Sequence, residues 1–120
     1  MSEQSAGPED LSAEDAKLVT LARATRARAR ASEGAAVRDL DGRTYAAASV
    51  RLEHLSLSAL EVCVAMALSS GSTGLEAAVV LTEGGAPDLA AAGDFTGAGV
   101  PVMVGGPDGA LHSRLATPGP

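Results

Sequence analysis

The sequence has no tryptophan, one tyrosine (Tyr45) and one phenylalanine (Phe95), so aromatics make up only 2% of its 120 residues. The hydrophobic share is still 46%, enough for a core that alanine, valine and leucine must fill. Such small side chains favour close packing of slender elements. A single cysteine, Cys63, excludes an intrachain disulfide framework and any cysteine-rich zinc site. No apolar run reaches the ~18 residues of a membrane span, and the opening MSEQSAGPED is polar rather than signal-like. A soluble, cytoplasmic protein is the expectation. Positive charge is scarce too: the net charge is −6 and the pI about 4.7. That balance argues against nucleic-acid binding by bulk electrostatics.

What is present is unevenly placed. At 11.8 kDa the chain has the size of one domain. Eight of its nine basic residues precede Leu52, four of them (Arg23, Arg26, Arg28 and Arg30) within one short stretch. Beyond that point only Arg114 is basic, against seven acids. A solvated arginine-rich helix face is the plain reading of the cluster; self-association or an acidic partner is the functional one.

Residues 1–10 carry Gly7-Pro8 and no periodicity, as a disordered tail would. Ser12 can cap a helix whose first turn holds Glu14 and Asp15. Leu11, Leu18, Ala22, Thr25 and Ala29 share one face at 3.6-residue spacing, and the helix should run to about Ser32. Strands are predicted over 35–40 and 44–50, joined at Asp41-Gly42-Arg43, since Asp-Gly between apolar runs signals a hairpin. Ser58 and Glu61 then match a capping box. From Ala59 to Leu68 the only polar side chain of note is Glu61, which predicts a helix buried on nearly all sides. Further on, strands are predicted over 76–82, 100–104 and 110–116, with a turn or two of helix over 88–93 and a frayed end over 117–120. The order α-β-β-α-β-α-β-β implies an α/β fold: a three-layer α-β-α arrangement around a mixed five-stranded sheet, mostly parallel after its opening hairpin.

This order and several local strings resemble the small cytidine deaminases. That family reads approximately F-x-x-G-A-A-L, D-G-R, N-x-E-N, then C-A-E opening a buried helix and P-C-x-x-C opening the next. Here Gly34-Ala35-Ala36-Val37 and Asp41-Gly42-Arg43 keep the family's internal spacing, and Ser49-Val50-Arg51-Leu52 stands in register with N-x-E-N. The stretch 58–71 has the length of the C-A-E helix, and 100–111 looks like the later strand, turn and strand. The resemblance covers about residues 15–116 and implies a cytidine-deaminase-like domain over 11–116.

It also implies a zinc ion held at two helix N-termini by three thiolates, or by a histidine and two thiolates. A glutamate two positions after the first ligand would shuttle protons. Carried onto this chain, the first ligand becomes Ser58 and the glutamate becomes Leu60; the remaining ligands become Asp88 and Ala91. The stacking aromatic falls at Ala31 and the two ribose-binding residues at Ser49 and Arg51. A hydroxyl, a carboxylate and a methyl do not make the three-ligand platform zinc requires, and leucine moves no proton. The expectation is a deaminase scaffold with no catalytic residue, no metal ligand and no cofactor.

Other residues offer little to rebuild a site. Cys63 points about 140° round the helix from Ser58 and reads as a small buried hydrophobe. His54 sits before the buried helix, near where the family's pocket would open, and joins the remnant pocket on that ground. His112 alternates outward on the last strand. The resemblance further implies a homo-oligomer, dimer or tetramer, or a mixed one with an active relative, and a nucleoside-like ligand in the remnant cleft. Two other functions stay open: a working nucleoside deaminase with relocated ligands, and an interaction module that uses the arginine-rich first helix on RNA or an acidic partner. Salt-sensitive binding would mark the latter, although the shortage of aromatics for base stacking counts against it.

Overall fold

The computed structural model describes residues 11–120; the tail expected over residues 1–10 lies outside them. The chain opens with helix α1 (Ala13–Ala29), then strands β1 (Gly34–Asp39), β2 (Thr44–Ala48), β3 (Val50–Leu52) and β4 (Leu55–Leu57). Helix α2 (Ala59–Ser69), strand β5 (Leu75–Leu81), helix α3 (Ala90–Thr96) and strands β6 (Pro101–Gly105) and β7 (Leu111–Ala116) complete it. Five strands form one sheet in the order β2-β1-β5-β6-β7, and β3 with β4 makes a separate small hairpin. The α/β, three-layer, mixed five-stranded arrangement is therefore present.

Strand alternation divides the core in two. On one face Ala36, Ala77, Val79, Leu81 and Met103 meet Leu18 and Ala22 of α1. On the other, Val37, Ala78, Val80, Val102 and Val104 meet Leu60, Cys63, Val64 and Ala67 of α2 and Ala92 of α3. Successive side chains of a strand point to opposite faces, so each central strand is apolar throughout. Burying a residue such as Leu18 contributes ~1.5–3 kcal/mol. Gly34 sets the gap beneath α1: a Cβ there would lie 2.3 Å from the Ala22 carbonyl oxygen and 2.7 Å from Arg26 Cβ.

Several expectations need correction. Only the β5–β6 pair is parallel; β1 is antiparallel to both β2 and β5. The crossover through α2 does bring β5 back parallel to β2, but β1 lies between them and takes both sets of hydrogen bonds. The strand expected to reach Val50 breaks at Ser49, and the loop expected before α2 holds the β3–β4 hairpin. Helix α1 ends at Ala29 because Arg30 adopts a left-handed φ of 55°, and Ala29 itself is exposed. Helix α2 is covered on one side only. Met66 and Leu68 stay 37% and 59% exposed. At the carboxyl end, fraying does not reach Thr117, which is buried with its hydroxyl donating to the Gly97 carbonyl at 2.6 Å.

Candidate functional site

The site builds up from the start of α2. Ser58 Oγ accepts the Glu61 amide at 3.1 Å, and Glu61 Oε1 accepts the Ser58 amide at 2.9 Å. The expected capping box is formed. The next amide, Ala59, donates to Glu33 Oε1 at 3.2 Å, so a carboxylate from just before β1 closes the same helix end. Placing negative charge there is favourable, because the unpaired amides leave a partial positive charge at a helix N-terminus. Glu33 Oε2 accepts from the Thr82 hydroxyl at 3.2 Å, and the Glu33 amide donates to Ser49 Oγ at 3.2 Å. One glutamate thus ties together β2, α2 and the end of β5.

Beside this junction opens a cleft of about 650 Å³, lined by Arg26, Ser32, Glu33, Arg51, Thr82 and Glu83 among others. Its floor lies where the parallel strands β5 and β6 end, the side on which α/β sheets commonly take ligands. Of the anticipated pocket residues, Arg51 lines the cleft and Ser49 meets it through the Glu33 amide, while the Ser58 side chain bonds only to Glu61 at the start of α2. The others go elsewhere. Leu60 is buried in the core at 1% exposure. Asp88 is exposed and accepts the Ala90 amide at 2.9 Å, an N-terminal contact for α3. Ala91 sits in an apolar groove with Val64, Leu68 and Phe95. His54 is solvated at the tip of the β3–β4 hairpin, its side chain 90% exposed, so its expected place in the pocket does not hold.

Cys63 is fully buried and burial pushes its thiol up to about 12, so it offers no thiolate near neutral pH. Among the described residues, no group of three or more histidine, cysteine, aspartate or glutamate side chains is arranged to hold a metal. The side chains at the ligand positions 58, 88 and 91 do not fit zinc: a hydroxyl engaged in capping α2, an exposed carboxylate and a methyl group.

Glu33, Thr82 and Glu83 escaped the sequence reading, and Arg26 entered it only as a member of the arginine cluster. Glu33 contacts partners 26 and 49 residues away, a convergence without a local sequence signal. Its place immediately before a Gly-Ala-Ala-Val strand was the one available hint.

Comparison with known proteins agrees with this architecture. A family model described as cytidine deaminase-like matches residues 11–109. The chain belongs to the cytidine deaminase-like family. Among solved structures it is similar to the cytidine deaminase from Burkholderia pseudomallei, with 19% identity and a TM-score of 0.63. That match covers 84% of this chain and 89% of the other, and it speaks for the fold alone. No curated protein sequence matches. No helix among the described residues is long and apolar enough to cross a membrane.

Proposed function

We propose that this is a cytidine-deaminase-like protein that has lost zinc binding and catalysis and acts as a binding or oligomer-forming subunit. One observation carries the reading. The helix terminus that deaminase chemistry would need is closed by Ser58, Glu61 and Glu33, while Leu60 is turned into the core. A serine nucleophile fares no better: Ser58 has its oxygen engaged by the Glu61 amide, and His54 points into solvent at the hairpin tip.

A subunit role suits the apolar surface. Leu52 and Leu55 of the hairpin are 65% and 47% exposed, and Met66 and Leu68 of α2 add to them. A two-stranded hairpin is marginal by itself, so a second copy, or an active relative, is the natural cover for these side chains. The occupant of the cleft would be nucleoside-like.

Purified full-length protein, supplied with zinc during expression, tests the reading by metal analysis and by uridine formation from cytidine. The expected result is substoichiometric zinc and no turnover above background. Stoichiometric zinc together with turnover would establish instead a working deaminase with relocated ligands.

A further inference from the structure

Four charged side chains line the cleft, Arg26, Arg51, Glu33 and Glu83, and among the described residues no ion pair within 4.0 Å joins any of them to another. They are not equivalent. Glu33 already accepts the Ala59 amide and the Thr82 hydroxyl at the positive end of α2, so its charge is engaged. Glu83 is exposed, in the loop just beyond β5. Arg51 is exposed on β3, free to reach across the opening.

Arg26 is the telling group. Its Nη1 donates to the Ala31 carbonyl at 3.2 Å, yet its Nε is buried without an acceptor. That nitrogen has almost no accessible surface, so it is the terminal nitrogens of the guanidinium that can meet a ligand in the cleft. The stem is held in place by the close approach of α1 to Gly34. The other buried guanidinium nitrogen without a partner, Arg38 Nη1, belongs to a side chain already held between Asp15 and Glu76. Arg26 has no carboxylate of its own among the described residues.

We infer that the cleft binds a small molecule through an oxyanion, received by Arg26 with Arg51 closing over it. The planar guanidinium offers parallel N–H donors that match phosphate and carboxylate oxygens alike. The cleft's volume lies within the range of small-molecule sites. Because the chain as a whole carries a charge of −6, an anion gains nothing from the overall field and depends on these two side chains. The inference rests on the proposed reading of the chain as a binding protein and narrows its ligand from a neutral nucleoside to an anionic small molecule.

Calorimetric titration of the full chain with cytidine, cytidine 5′-monophosphate, inorganic phosphate and acetate tests it. At least one of the three anionic probes should bind at least tenfold more tightly than cytidine. Their ranking separates a phosphate-bearing from a carboxylate-bearing ligand. Arg51→Gln, on the exposed hairpin, should weaken that binding about tenfold. Arg26→Lys, which keeps the charge and removes the planar guanidinium fork, should also weaken it. Binding of cytidine without any preference for anions would overturn the inference and leave the proposed function standing. Silence from all three anions, or anion binding untouched by both variants, would overturn it too. Release of ammonia from cytidine would instead remove the proposed function, whatever the anions do.

Discussion

Strand β1 has a polar group at each end, and the two ends treat it in opposite ways. At the far end Asp39 is completely buried and spends its carboxylate on neighbours. Oδ1 accepts the amides of Asp41 and Arg43 at 3.0 and 2.9 Å. Oδ2 accepts Arg43 Nε and the Tyr45 hydroxyl, both at 3.1 Å, and the Ser72 hydroxyl. At the near end Glu33 shares its surroundings with two arginines that have no carboxylate partner among the described residues. The first arrangement fastens a hairpin turn. The second leaves capacity for something outside the chain, and the proposed binding surface rests on that contrast more than on any motif.

The Asp39 end should give the largest response to mutation. Removing its carboxylate with Asp39→Ala takes the acceptor from the Asp41 and Arg43 amides and from the Tyr45 and Ser72 hydroxyls, and a buried donor left without a partner typically costs ~1–3 kcal/mol. Denaturant unfolding followed by circular dichroism should show that loss. Burial alone would raise the Asp39 pKa, but hydrogen bonds from Ser72, the Arg43 amide, Tyr45 and the Asp41 amide outweigh it and hold the group at about 2, against 3.8 unperturbed. A depressed folded-state pKa means that its contribution is complete above roughly pH 4 and is lost as pH falls from there towards about 2. Acid unfolding of the parent should be steeper over that window than unfolding of Asp39→Ala. Equal slopes would show that Asp39 does not stay ionised in the folded protein.

Much of this scaffold was legible beforehand, and the reasons are local. Asp41-Gly42 makes its hairpin turn because Gly42 takes a φ of 88° that other residues resist. The capping box at Ser58 needed only neighbours three residues apart. Non-local features stayed hidden. The β3–β4 hairpin turns at Glu53-His54, which lack the glycine or asparagine that usually signals such a turn. The apolar run of α2 gives no hint that Met66 and Leu68 stay exposed, because cover depends on tertiary neighbours. The cleft was the hardest part to foresee. Arg26, Glu33, Arg51 and Thr82 come from four separate segments, and the residues carried over from the family pattern include only Arg51 of these.

Between the two extremes stands the start of α2. Ser58→Ala should cost about 1 kcal/mol, the usual worth of an N-cap side chain. Glu33 continues to accept the Ala59 amide in that variant, so the loss should stay at the low end of the cap range. A loss of several kcal/mol would show that the hydroxyl supports more than the helix end. A zinc-supported Ser58 would also make the variant's stability respond to chelator differently from the parent, and neither should respond at all.

The smallest effect belongs to Arg51. It is exposed on the hairpin and makes no ion pair among the described residues, so Arg51→Gln should change stability by less than about 0.5 kcal/mol. Opposing surface positions of this kind respond only when a partner is present. Thermal melts with and without 5 to 10 mM-scale inorganic phosphate (roughly the range where millimolar affinity is visible) should therefore coincide for the two proteins in its absence and separate in its presence. A substantial loss without ligand would mean that Arg51 holds the hairpin in place, and the division between a fastened end and an open end of β1 would no longer stand.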